Sequence, residues 1–292
     1  MRTVSCVTAA SCLLALLLSS GVAAGAQAAG DSATATRPDP RNIVFPHLFV
    51  GDIDKSKFNE PSGICYHPGR RTLFVVGDEG DICEMRLDGT LVKQKRVRDK
   101  PDLEGVTCDP ATGLLYVAVE GEEKILELAP ANFAVLRTFT LDRAFKGKTV
   151  MKAGGQGIEA IAFVPDPKHP EGGTFFVANQ AFDLDNKEDL SAVLEFELPL
   201  RSGKGADATV KAKACFPLGV IDLSGLHYDA ASRHLFVISD TTNAMFEITT
   251  AGKMLASHAF PGDNQEGLAI DPAGFVYYAQ DSGGIIKMKW LK

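Results

Sequence analysis

Short apolar runs recur along this chain in a fixed order, separated by polar turns. Pro61-Ser62-Gly63-Ile64 opens one unit. Leu103-Glu104-Gly105-Val106, Ile158-Glu159-Ala160-Ile161, Leu223-Ser224-Gly225-Leu226 and Gln265-Glu266-Gly267-Leu268 open four more. Measured at the Ser or Glu, the intervals are 42, 55, 65 and 42 residues, so the two longer units carry insertions of 13 and 23 residues. A turn such as Cys108-Asp109-Pro110 or Ile270-Asp271-Pro272 follows each opening run. An aromatic and β-branched run comes next, for example Leu73-Phe74-Val75-Val76 or Phe175-Phe176-Val177-Ala178. That composition and length predict buried strands. A third segment alternates apolar and charged residues, as in Ile82-Cys83-Glu84-Met85 and Ile125-Leu126-Glu127-Leu128, which predicts a strand with one wet face. A more polar fourth strand closes the unit, over 91–97 and 254–260 for instance.

Four strands in about 42 residues is the size of a β-propeller blade. No helical period of useful length competes with this reading, and a jelly roll would not repeat its sequence. The last unit has room for only three strands before Lys292, while 43–53 reads as a strand lying ahead of the first unit. Letting that strand complete the last blade removes an exposed sheet edge. The expected fold is all-β, a propeller of five four-stranded blades over 43–292 closed by an N-terminal strand.

Composition refines this picture at both ends of the chain. The sequence is 45% hydrophobic and 23% charged with a net charge of −7, a soluble globular balance that lacks the basic footprint of a nucleic-acid binder. No apolar run of about 20 residues follows the N-terminal region, so no membrane span is expected in the mature protein. Arg2, the apolar core Cys12 to Leu18 and the small-residue pattern Ala26-Gln27-Ala28 predict an export signal over 1–28, followed by a linker over 29–42. The expected location is periplasmic or secreted, and the expected state a monomer. Cys65, Cys83, Cys108 and Cys215 then sit in an oxidising compartment, but each lies in an apolar run where a free thiol packs as a small hydrophobe. Buried thiols and one bridge among Cys65, Cys83 and Cys108 both stay open.

The repeat places two sequence columns at one end of the central channel. The first is Ser62, Glu104, Glu159, Ser224 and Glu266, where each inner strand begins. The second is Asp78, Glu120, Gln180, Asp240 and Asp281, where each second strand ends; Asn179 stands just before Gln180. Carboxylates crowded into one mouth raise each other's pKa or attract a cation. Hard oxygen donors of this kind suit Ca²⁺ rather than zinc. The candidate ion ligands are Glu104, Glu159, Glu266, Asn179 and Asp240, with Ser62, Asp78, Glu120, Gln180, Ser224 and Asp281 lining a ligand mouth. The same residues also suit capping of backbone N–H groups and turn formation, so a purely structural ring is the alternative.

Two insertions flank this mouth. Asn179 to Ser191 brings Asp183, Asp185, Asn186, Glu188 and Asp189 without the spacing of an EF-hand loop, and reads as a solvated lid or a second Ca²⁺ loop. Arg143 to Gly157 brings Arg143, Lys146, Lys148 and Lys152, which suit an anionic ligand or a solvated loop. His227 lies inside an inner strand without a histidine partner and reads as packed.

Glu60-Pro61-Ser62-Gly63-Ile64, Asp102-Leu103-Glu104-Gly105-Val106, Val75-Val76-Gly77-Asp78-Glu79-Gly80 and Gln265-Glu266-Gly267-Leu268-Ala269 resemble the SdiA-regulated family of exported bacterial propellers. The resemblance covers about residues 43–292, and Ile158-Glu159-Ala160 departs from its Glu-Gly pattern. It implies a propeller with a Ca²⁺ site near the channel, and a kinship with the esterase-like propellers of phytase. Two functions follow as expectations. One is an exported binding propeller that holds Ca²⁺ and a small-molecule or envelope ligand at its mouth. The other is a metal-dependent hydrolase of esters, lactones or phosphoesters, similar to gluconolactonase-type propellers, with Glu104, Glu159, Glu266, Asn179 and Asp240 around the ion. No Ser-His-Asp or Cys-His arrangement is legible.

The leader makes a direct prediction: mass measurement of protein recovered from the periplasm or medium should find an N-terminus at Ala29. Intact Met1 in that material would refute the cleavage reading.

Overall fold

A computed structural model of the chain describes residues 43–97, 102–183 and 191–291. The expected leader, over 1–28, and the linker, over 29–42, lie outside the described residues.

The strands assemble into five antiparallel blades. The first blade is built from Pro61–His67, Thr72–Gly77, Asp81–Met85 and Leu91–Arg96. The second uses Leu103–Cys108, Leu115–Val119, Lys124–Ala129 and Ala134–Leu141, and the third Ile158–Pro165, Gly173–Asn179, Ala192–Phe196 and Ala212–Pro217. Leu223–Asp229, His234–Ser239, Ala244–Thr249 and Met254–Ala259 make the fourth. In the fifth, Gln265–Ile270, Phe275–Gln280 and Ile285–Trp290 are completed by His47–Asp52. That closing strand pairs His47 with Trp290 and Asp52 with Ile286, and Asp52 Oδ1 accepts the Ile285 N–H at 3.1 Å. Its Asp52 end therefore lies on the face where the inner strands begin, and its His47 end on the opposite face.

The first strand of every blade faces the axis, and adjacent first strands pack against one another. Each blade thus presents both faces to neighbouring blades, so the core is divided into five clusters, one at each blade junction. Phe74, Val106 and Val117 meet between the first two blades, and Tyr116, Phe163 and Phe175 between the second and third. Phe176, Val237 and Phe246 fill the third junction, Phe236, Tyr278 and Met288 the fourth, and Leu73, Tyr277 and Ile285 the fifth. Two covered faces explain why the second strands are unbroken apolar runs rather than alternating ones.

The same packing corrects the wet face expected of the third strands in two of the five blades. Glu84 and Glu127 are buried, while Glu195, Glu247 and Lys287 of the other three stay half-exposed. Glu84 is held by Arg70 at 2.7 Å, Thr72 at 2.8 Å and Lys93 at 3.3 Å. Glu127 is held by Arg137 at 2.8 Å and the Tyr116 hydroxyl at 3.1 Å. A charge in a blade junction is retained because a neighbouring strand supplies its partner.

All four described cysteines are free thiols, so the bridge among Cys65, Cys83 and Cys108 is absent from this structure. A second feature was not legible beforehand. The insertion after the third strand of the third blade sends Ala208–Val210 across to pair in parallel with Phe139–Leu141, adding a fifth strand to the second blade. Arg137 donates to Pro199 O at 3.1 Å and to Leu200 O at 2.7 Å within the same insertion.

The inner strands meet at a collar. A Cβ added to Gly63 would stand 2.4 Å from Glu104 O, and one on Gly105 2.8 Å from Ile161 N. On Gly225 it would stand 2.2 Å from Glu266 O, and on Gly267 2.4 Å from Ile64 N. Each of these atoms belongs to the backbone of the next blade, which cannot step aside as a flexible side chain can. The following glycine of the repeated motif is thus required by close approach of two chains.

Two stability predictions follow. Deleting 43–53 should expose the edge of the fifth blade and the core beneath Phe45, producing aggregation or a large fall in melting temperature; an unchanged Tm would refute closure by this strand. Gly267→Ala should cost about 1–3 kcal/mol through backbone overlap, read by chemical denaturation. A neutral result would show that the collar has slack.

Candidate functional site

Every inner strand carries one extra residue relative to its partner strand, and the irregularity falls at the first column in all five blades. The register slips between Pro61 and Gly63, Leu103 and Val106, Ile158 and Ala160, Leu223 and Gly225, and Gln265 and Leu268. A β-bulge re-aims a side chain that would otherwise sit in the ladder. Here it releases Ser62, Glu104, Glu159, Ser224 and Glu266 at the channel entrance, the first four of them buried and Glu266 half-buried.

The two serines are spent on bracing. Ser62 Oγ donates to the Asp78 carboxylate, and Ser224 Oγ donates to Gln265 O at 2.7 Å in the next blade. The second column largely does the same work between blades. Glu120 Oε1 accepts the Gly157 N–H at 2.9 Å, and Asp240 Oδ1 accepts the Gln265 N–H at 2.9 Å. Gln180 Nε2 donates to Asp222 Oδ1 at 2.9 Å. Asp281 lies exposed at the rim. Asn179, expected among the ion ligands, is buried and bonded to backbone: its Nδ2 donates to Val150 O at 2.9 Å and its Oδ1 accepts the Ala192 N–H at 2.8 Å. Its amide fastens the insertion before the third blade to that blade's third strand.

What the structure brings together is a tighter acidic group. Asp78, Asp102 and Glu104 each offer one oxygen, all within 4.8 Å of one another. Asp102 belongs to a third column that sequence reasoning missed, two residues before the first: Glu60, Asp102, Gly157, Asp222 and Asn264. Its signal was a short polar residue at that offset in three of the five units, Asp102, Asp222 and Asn264. In Glu60, Asp222 and Asn264 the backbone is left-handed, with φ of 43°, 55° and 51°, which Asn and Asp tolerate better than most residues.

The electrostatics are one-sided. Burial, then repulsion from Glu159, Asp78 and Asp102, holds the Glu104 carboxyl well above the usual carboxylate range. Glu159 is raised in the same way, by burial and then by Glu120. Burial and the neighbouring Asp240 push Glu266 up to about 9. Asp78 rises to about 6 through burial, against the bond from Ser62. Glu120 and Asp240 are also raised, with burial leading in each. The cations expected nearby are otherwise engaged or absent from these influences: Arg143 pairs with Glu123 and donates to Gly121 O at 2.7 Å, and Lys146 lies over the Phe145 ring. Of the acidic loop, Asp185, Asn186, Glu188 and Asp189 fall outside the described residues, and Asp183 alone is described.

Below the mouth the collar of Gly63, Gly105, Ala160, Gly225 and Gly267 leaves about 10 Å³ of free space, little more than a water needs. Past it the channel widens into a cavity of about 380 Å³ that reaches the opposite face. His227, expected to be packed, lines this cavity together with Cys65, Thr107 and Ala162, its counterparts in the repeat.

This chain is similar to two solved structures. Myxococcus xanthus glutaminyl cyclase superposes with a TM-score of 0.58 at 11% identity, over 85% of this chain and 97% of that one, a likeness of fold alone. The β-propeller domain of Myceliophteria thermophila Cps50 (Swd1) gives 0.48 at 10% identity, over 85% and 100%. No helix among the described residues is long and apolar enough to cross a membrane. The family model described as SdiA-regulated matches residues 52–282, which contain all five inner strands and all three acidic columns, and the chain belongs to the SdiA-regulated family.

Proposed function

We propose that this protein is an exported SdiA-regulated propeller that binds a divalent cation, Ca²⁺, at the mouth of its channel and recognises a small-molecule or envelope ligand there. The observation that carries the reading is the convergence of Asp78, Asp102 and Glu104 within 4.8 Å, in a mouth whose carboxyls are raised by burial and by one another. The donors are all hard carboxylate oxygens, with no thiol or imidazole in the group, which fits Ca²⁺. Asp78, Asp102 and Glu104 would hold the ion, with Glu159 next to Glu104. A bound Ca²⁺ supplies positive charge that offsets the repulsion. Asp240 and Glu120 keep the surrounding blades in place through their bonds to Gln265 and Gly157.

A second reading rests on a different feature of the same ring. Carboxyls such as Glu266 and Asp78 keep or exchange protons near neutrality, and proton carriers beside a Lewis acid are the parts of a metal-dependent hydrolase of esters, lactones or phosphoesters. Fold likeness to a glutaminyl cyclase names no residue here and does not decide the chemistry.

The experiment is thermal unfolding with and without Ca²⁺. An ion that binds only the folded state stabilises by about 2.7 kcal/mol when its free concentration is 100 times the dissociation constant, so Tm should rise with Ca²⁺ and fall with chelator. Glu104→Gln should abolish the response and Glu159→Gln weaken it, while neither lowers the ion-free Tm, because an amide replaces a carboxyl whose ionisation burial and its neighbours already oppose. The pH dependence has a definite sign. Glu266 binds its proton more tightly folded than unfolded, so the ion-free protein should lose stability as pH rises from about 4.5 toward 9. The gain from Ca²⁺ should grow over the same window. No calorimetric Ca²⁺ binding at millimolar ion would leave the ring structural. Turnover of a lactone, an aryl ester or phytate that requires Ca²⁺ would favour the hydrolase; absence of turnover with Ca²⁺ bound would favour the binding protein.

A further inference from the structure

The cavity on the face opposite the carboxylates has the build of a ligand site that the acidic mouth does not explain. Its wall consists of inner-strand residues in successive rings. Ile64, Val106, Leu226 and Leu268 lie nearest the collar, and the aromatic side chains of Tyr66, Phe163 and Tyr228 stand further out. At about 380 Å³ it falls within the range of small-molecule pockets. An apolar cavity of about 150 Å³ already accommodates benzene, so this one has room for a two-ring molecule. The collar shuts it off from the carboxylates, so what enters comes from the opposite face, between the turns that contain Pro68, Pro110 and Pro272.

Several polar groups on this wall are committed to the protein. Thr107 Oγ1 accepts the Phe163 N–H at 3.1 Å, and Cys108 Sγ contacts Tyr66 O at 3.6 Å. Asp271 accepts from the Phe275 N–H at 2.9 Å and the Tyr277 hydroxyl at 3.1 Å. Asp229 accepts from the Ser232 N–H at 3.0 Å. Three side chains are exceptions: the hydroxyls of Tyr66 and Tyr228 and the imidazole of His227 make no hydrogen bond to any described residue, and all three residues are half-exposed. His227 stands one residue nearer the collar than the tyrosines, and burial lowers its pKa to about 4. A neutral imidazole offers one donor and one acceptor. A ligand group that bonds the imidazole in this recess adds the worth of one hydrogen bond. The lining holds no Lys or Arg to meet an anion, and its carboxylates are already engaged by their own turns.

We propose that this cavity binds an uncharged, largely aromatic small molecule of one or two rings that carries a single hydroxyl or N–H group, with the ring against Tyr66, Phe163 and Tyr228 and the polar group on His227. The site is independent of Ca²⁺ binding, because the collar separates the two ends of the channel.

The probes are 2-naphthol and 2-methylnaphthalene, which differ by a hydroxyl replaced with a methyl, followed by saturation-transfer NMR on the full chain. Naphthol should bind about threefold to tenfold more tightly, the worth of one hydrogen bond, with no change on adding chelator. His227→Leu should bring naphthol down to the affinity of methylnaphthalene. Ala162→Phe, which fills the cavity, should remove both. Should either variant fail to fold, the wild-type His227 ring nitrogen resonances give the same answer: they should shift with naphthol and stay still with methylnaphthalene. Absence of binding by both probes, equal affinities, or naphthol binding that leaves the His227 resonances unmoved would each overturn the proposal.

Discussion

The close approach of five chains around one axis is the constraint from which the rest follows. At the collar the backbone of each inner strand lies against the next, leaving no room for a Cβ at Gly63, Gly105, Gly225 or Gly267. Strands that meet so tightly at one level must diverge on either side of it, since each blade twists as it runs outward. The channel therefore has two ends of opposite character instead of one continuous bore. Above the collar the bulged residues project carboxyls into a narrow space. Below it the strands spread and apolar side chains line a wider one.

The bulges and the glycines belong to a single device. The extra residue in each inner strand turns Ser62, Glu104, Glu159, Ser224 or Glu266 toward the axis. Four of the five are followed by the glycine that lets the neighbouring chain come near. Only the third blade uses alanine there, at Ala160, and the two mouth insertions arise just ahead of that blade and between its second and third strands. Bracing between blades runs through the same residues, as Ser224 to Gln265 and Asp240 to Gln265 show. Acidic side chains at this end thus serve architecture and carry charge at once. Those left without a backbone partner concentrate around Asp102.

The repeat was legible because five copies of one motif expose its period even when insertions of 13 and 23 residues interrupt it. Blade number and closure by 43–53 followed from counting strands. Contacts that break the symmetry were harder. Asn179 looks like an oxygen donor at the mouth, yet its amide is taken by Val150 and Ala192, one of them in an insertion with no counterpart elsewhere. Glu84 and Glu127 alternate with apolar residues as a solvent-facing strand would, but a blade has neighbours on both faces, and the partners come from elsewhere in the blade, Arg70 from a turn and Arg137 from the fourth strand. The strand at Ala208–Val210 joins blade three to blade two across a long sequence gap, and three residues give no periodic signal. Asp102 was quoted in a motif but its column was overlooked, since its equivalents vary among Glu, Gly, Asp and Asn.

The closing segment also does double duty as a seam. His47–Asp52 completes the fifth blade beside Trp290 and Ile286. Just ahead of it, Phe45 donates its N–H to Ala259 O at 2.9 Å and Ile43 O accepts the Ala259 N–H at 2.7 Å, at the end of the fourth blade's last strand. One short stretch of chain therefore fastens two neighbouring blades, and the Phe45 ring fills the junction between them against Phe260 and Trp290. Pulling on that stretch would open two seams of the ring together, so the clasp that closes the circle is also the point from which it would unzip.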